Sequence, residues 1–163
     1  MAESNIITRI KTGRGSLKIR SKGDFRVVLD VISALNDDEL PEADRLYAAL
    51  FIFYTRRPEK IKDLEGAVTG MLEFISGGLL AGDGLIELET DLSYIISGVN
   101  KVLGREVRAG YLSWQSFVSA FNEIGEGPLL LIAQARAAIM RGQRLTPAQK
   151  TLVGKNPRLF DSF

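Results

Sequence analysis

The chain has 163 residues, 45% hydrophobic and 25% charged, the mixture of a protein that folds around a core rather than a disordered or fibrous one. It contains no cysteine and no histidine, which excludes disulfides, thiol nucleophiles, Ser-His and Cys-His couples, and nearly every zinc or iron site. The net charge of +1 is unevenly spread: residues 1 to 23 carry six basic groups and one acidic, 24 to 92 six and fifteen, 93 to 163 nine and four. Such segregation either neutralises itself within the fold or favours a charged partner, head-to-tail self-association included.

Met1 to Ile10 is polar and broken by Arg9, without the apolar stretch of a signal peptide. The longest apolar runs, Ala48 to Phe53 and Leu129 to Ala133, are far short of the ~20 residues that span a bilayer. Neither secretion nor membrane insertion is expected.

Ile6, Ile7, Thr8 and Ile10, then Leu17 and Ile19, flank a Gly13-Arg14-Gly15 break and predict a hairpin in a basic arm over residues 1–23. Two strands alone are marginal, so the arm must pack on the body, pair with another chain or move. Asp24 is a good N-cap for a first helix with Phe25, Val28, Leu29, Ile32 and Leu35 on one stripe. The second starts near Pro41 and is apolar almost all round, with Leu46, Leu50 and Phe53 beside Tyr47, Phe51 and Tyr54. It is expected to be sandwiched in the middle of the fold, with Arg56 and Arg57 in its last turn.

A third helix over residues 59–76 sets Ile61, Leu64, Val68, Leu72 and Ile75 on a stripe, ended by Gly77-Gly78. Its interior Gly66 and Gly70 predict either a close helix crossing or a weak helix. Ser76 to Gly84 is the clearest loop. A fourth helix over residues 88–103 carries Leu92, Ile95, Ile96, Val99 and Leu103, capped by Gly104. Ser113 caps a short fifth with Trp114, Phe117, Val118 and Phe121 inward. Pro128 opens a sixth that runs through Leu129, Leu130, Ile132, Ala133 and Ile139 to Arg141 and ends at Gly142, and Thr146-Pro147 opens a last one. The expectation is a mainly α bundle of six to seven helices: arm 1–23, one helical domain 24–155, and a frayed tail 156–163.

Candidate chemistry is sparse. Gly13-Arg14-Gly15-Ser16-Leu17-Lys18 lacks the spacing of a phosphate-binding loop and fits a tight turn. Asp37, Asp38, Glu39, Glu42 and Asp44 lack a calcium-loop spacing and fit a solvated turn. Glu87, Glu89 and Asp91 read as exposed surface carboxylates. The basic arm has no aromatics to stack bases, so nucleic acid is not an expected partner. Neither a cofactor, a metal nor a catalytic residue is expected, and the chain is not expected to be an enzyme. Tyr111, Leu112, Trp114, Phe117 and Phe121 form an aromatic stripe that packs a core or anchors a partner, and these five are the candidate partner-binding residues.

Asp24-Phe25, the acidic turn from Asn36 to Leu40, and Leu46-Tyr47 to Phe53-Tyr54 before Pro58 resemble a family of bacteriophage proteins encoded just before the tail tape measure. Asp91-Leu92-Ser93-Tyr94-Ile95 and Tyr111 to Phe117 with Phe121 extend the resemblance over roughly residues 20 to 150. Two features depart from it: Trp114-Gln115 stands where relatives tend to have an aromatic pair, and Gly142 to Phe163 is less charged than their ends. The resemblance implies a tail assembly chaperone of the host cytoplasm, with the tape measure protein as partner and the tail tube protein as a second candidate partner; the segregated charge leaves a homo-oligomer in prospect. The alternative is a structural virion component, a connector or tail-completion protein.

Overall fold

A computed structural model of the protein describes residues 6–76 and 84–163. Among these residues are seven α-helices and one two-stranded antiparallel hairpin, the mainly helical fold with an N-terminal hairpin that the periodicity predicts. Gly77-Gly78 and all of the Ser76 to Gly84 loop but its two ends lie outside the described residues. Where the sequence suggests one helical domain, contacts cluster in two compact units, Met1–Leu79 with Gly110–Ser119, and Leu80–Ala109 with Ala120–Phe163.

In the first unit, β1 (Arg9–Thr12) pairs with β2 (Gly15–Lys18) across Gly13-Arg14, with Ile10 opposite Leu17. The arm packs on the unit. Tyr54 ends α2 (Glu42–Phe53) by turning extended to bridge Ile19, and its buried hydroxyl donates to the Ala67 carbonyl at 2.8 Å. Arg56 and Arg57 therefore lie beyond the helix rather than in its last turn. Arg20 fills the vacated end: its guanidinium donates to the carbonyls of Phe51, Ile52 and Tyr54 at 2.9 to 3.0 Å, a cation at the negative helix terminus.

Helix α1 (Phe25–Leu35) buries Phe25, Val28 and Val31, while Leu29, Ile32 and Leu35 are only half-buried, so the inward face is set by Val31 rather than by Leu29. Helix α2 is not sandwiched. Ala49, Leu50 and Phe53 are buried, but Tyr47 is 49% and Phe51 45% exposed, because its helical neighbours cover one face only. After a 3₁₀ turn at Pro58–Lys60, α3 (Leu64–Ser76) begins five residues later than predicted and turns Ala67, Gly70, Met71 and Phe74 inward. Leu64 and Leu72 of the predicted stripe are exposed.

The two α3 glycines have different causes. A Cβ on Gly70 would overlap the Ile10 methyl, so the close approach is by a strand and not by a helix. Gly66 lies against Asp63, whose carboxylate accepts the Gly66 N–H at 3.0 Å and the Gly13 N–H at 2.7 Å, tying the hairpin turn to the start of α3. The aromatic core runs through the stacked rings of Phe25 and Phe117, 4.6 Å between centroids, with Trp114 stacked on Phe117 and Phe74 edge-on to Phe53. Trp114 and Phe117 belong to α5 (Trp114–Asn122), whose first six residues lie in this unit.

In the second unit, α4 (Leu88–Leu103) ends at Gly104, which adopts a left-handed φ of 65° as C-terminal glycines do. Ile95, Ile96 and Val99 are buried, and so is Asp91, which the sequence reading put at the surface. Its partner is Arg136 of α6 (Pro128–Met140), also fully buried. The guanidinium donates to both Asp91 carboxylate oxygens, to the Leu85 carbonyl at 2.9 Å and, through Nε and Nη2, to the Leu159 carbonyl at 2.9 and 2.7 Å. All five of its N–H groups are satisfied, the condition under which a buried arginine is tolerated.

That cation also explains the C-terminus. Helix α7 (Pro147–Lys155) starts with a Thr146–Gln149 capping box and is followed by a 3₁₀ turn at Pro157–Phe160. Residues 156–163 are not frayed: Phe160 is buried, the Leu159 carbonyl is committed to Arg136, and the Phe163 ring centroid lies 4.7 Å from the guanidinium carbon. Ile132, Ala135 and Phe160 form the local core.

Arg136→Met leaves the Asp91 charge buried and alone and should lower unfolding free energy by about 3–5 kcal/mol. In urea titrations the double variant Asp91→Leu/Arg136→Met should recover part of that loss. A double variant as unstable as the single one would contradict this account of the pair.

Candidate partner-binding groove

Asp24 organises an open concave surface of the first unit. Its carboxylate accepts the Arg26 N–H at 3.0 Å as the N-cap of α1, the Arg26 guanidinium at 2.8 and 3.0 Å, and the Leu112 N–H at 3.3 Å. The Phe25 N–H donates to the Leu112 carbonyl at 2.9 Å, and Asp24 bridges Ser113, so the segment before α5 lies along the start of α1. Burial opposes ionisation of Asp24, but the hydrogen bonds from Arg26 and from the Leu112 N–H outweigh it and hold the carboxyl below its ordinary pKa.

Tyr111 is set by this arrangement. Its hydroxyl donates to the Lys22 carbonyl at 3.0 Å while the ring stays 42% exposed. Partial burial, and then the nearby Asp24 charge, raise the phenol pKa above its ordinary value. Ile6, Val27 and Tyr111 supply apolar walls, and Lys22, Arg26 and Asp30 a charged rim, to an open groove of about 740 Å³.

One edge of the groove is a strained turn. Ser21 and Lys22 have φ of 49° and 53°, followed by Gly23 at 68°, three consecutive left-handed residues of which two carry a Cβ. Gly23 has no alternative, since a Cβ there would run into the Phe74 ring. The strain is held from both sides, by Arg20 on the end of α2 and by Tyr111 on the Lys22 carbonyl.

Of the five residues expected to bind a partner, Tyr111 alone opens onto this groove. Leu112, Trp114 and Phe117 lie in the core at 6%, 0% and 2% exposure, and their side chains are committed to packing. Trp114 Nε1 donates to the Ile75 carbonyl at 3.1 Å, satisfying a C-terminal group of α3. Phe121, half-buried, belongs to the second unit. The sequence reading missed Ile6, Lys22, Arg26, Val27 and Asp30. The Ser21-Lys22-Gly23-Asp24 run is a turn signal before a cap that marks one edge, but nothing local says that residues near 111 meet those near 24.

The acidic run between α1 and α2 is dispersed. Asp38 pairs with Arg45 at 3.3 Å, and Asp37 accepts the Glu39 N–H at 3.0 Å as an Asx turn. Among the described residues no group of three acidic side chains could hold a metal ion, and no helix is long and apolar enough to cross a membrane. Neither protein-family models, nor curated proteins, nor solved structures give a match to the chain.

Because the Asp24 pKa is depressed in the folded state, its stabilisation is present above the unfolded value, about 4, and is lost as pH falls through the folded value. Asp24→Ala should therefore cost about 1–2 kcal/mol at pH 7, with a gap from the parent that narrows below pH ~4. Thermal unfolding of both proteins across pH would show it, and a constant gap from pH 7 to 3 would contradict it.

Proposed function

We propose that this protein is a tail assembly chaperone of a long-tailed bacteriophage, which binds the tape measure protein in the host cytoplasm and is absent from the finished particle. A tape measure chain presents long apolar helical faces that aggregate until tail tube subunits enclose them. A folded protein that covers those faces transiently solves the problem without any chemical step. The proposal assigns no catalysis, in keeping with a chain that has neither histidine nor cysteine.

The order of sequence motifs supports this reading, and the observation that carries it structurally is the Tyr111 groove. Apolar Ile6, Val27 and Tyr111 sit within a rim of both charge signs, the chemistry that receives one face of an amphipathic helix. Aromatic residues anchor such contacts because they bring large area at little entropic cost.

Co-expression with the tape measure protein of the same phage should raise the soluble fraction of the latter severalfold. Tyr111→Glu should abolish that gain, with the fold of the variant checked by circular dichroism because the Tyr111 hydroxyl also holds the Lys22 carbonyl. An unchanged soluble fraction with the parent protein contradicts the proposal. So does recovery of the protein in stoichiometric amounts from purified particles, which would instead favour a structural virion component.

A further inference from the structure

Helix α2 presents a second surface, independent of the Tyr111 groove. Ala43, Tyr47 and Phe51 recur at every fourth position and are all exposed, so they form one outward stripe along the helix. The stripe is graded in size, a methyl at one end and two aromatic rings at the middle and the other end. Its ends also differ in charge. Glu39, Glu42 and Asp44 are exposed near the N-terminus of α2. At the C-terminus the Arg20 guanidinium sits 5.8 Å from the Phe51 ring centroid, with exposed Arg56 and Lys18 nearby in the chain pairing that ends the helix.

Twelve helical residues span about 18 Å. That exceeds the screening length of roughly 8–10 Å at ordinary ionic strength, so the poles do not neutralise each other within one copy. Of the two ways to lay this helix along a copy of itself, the parallel one sets acid beside acid and base beside base. The antiparallel one sets each acidic end against a basic end and opposes the two helix dipoles. Rotation about a two-fold axis at Tyr47 also brings position 43 opposite position 51, a small side chain facing a large one at both ends. The stripe is therefore self-complementary in shape, and at its two ends in charge, at a single register; at the axis the Tyr47 hydroxyl of each copy donates to its own Glu59, which pairs with Arg57.

We propose that two copies of this chain associate through α2, antiparallel, with the axis at Tyr47 and Phe51 of each copy seated over Ala43 of the other. An interface built on one helix is smaller than the ~800 Å² per partner of a stable complex. The dimer is accordingly a weak, reversible one that forms at high local concentration. It stands whether or not the protein handles a tape measure chain.

Sedimentation equilibrium on the full chain up to ~1 mM should give a monomer–dimer equilibrium that weakens as salt rises. Phe51→Glu should raise the dissociation constant at least about tenfold with an unchanged circular dichroism spectrum. Met140→Glu, at a 61% exposed position in the second unit, should leave it unchanged. Since the chain has no cysteine, register can be read directly. Under mild oxidation Tyr47→Cys should cross-link with itself, and Ala43→Cys should cross-link with Phe51→Cys in a mixture but not with itself. A monomer throughout, a dimer indifferent to Phe51→Glu, or self-cross-linking of Ala43→Cys in preference to Tyr47→Cys would each overturn the proposal.

Discussion

Three aspartates, each accepting a backbone N–H group, fasten distant segments of this protein. A chain without cysteine or histidine can use neither a disulfide nor a zinc ion to fasten distant segments. Asp24 joins the start of α1 to the segment before α5, Asp63 joins the hairpin turn to α3, and Asp91 joins the start of α4 to α6 through Arg136. Each carboxylate also accepts a nearby backbone N–H, from Arg26, Gly66 and Glu87 respectively, so one side chain sets local conformation and tertiary contact together. Charge-assisted bonds of this kind are roughly twice as strong as neutral ones.

The Asp24 tie produces the candidate site. Tyr111 is fixed beside the groove because its neighbour Leu112 is bound to the Asp24 carboxylate and to the Phe25 N–H. The left-handed turn at Ser21 and Lys22 persists because Arg20, Tyr111 and the Asp24 N–H, which donates to the Ser21 carbonyl at 3.1 Å, fix its ends. The two strained residues next to the exposed Tyr111 ring persist because the hydrogen bonds around them over-determine the turn.

Much of the fold was legible because its signals are local. Capping residues and glycines fix helix ends whatever the tertiary context, so Asp24, Ser113, Pro128, Thr146 and Gly104 mark their helices correctly. Rotations were less legible. The apolar stripe of α3 follows its large side chains, but the hairpin needs a small one, Gly70, where Ile10 presses in. Asp91 was read as solvated because nothing in the sequence near it announces Arg136, 45 positions away, and the same cation turns an apparent tail into packed structure. The aromatic block at residues 111–121 was visible as a unit, but its division into core and surface depends on what covers each ring.

The most direct measurement of the central claim is hydrogen–deuterium exchange on the chain alone and with helical segments of the tape measure protein proposed as its partner. The account predicts slowed exchange over residues 21–27 and 110–112, the backbone that lines the Tyr111 groove. Absence of binding, or protection confined to the second unit, would contradict it.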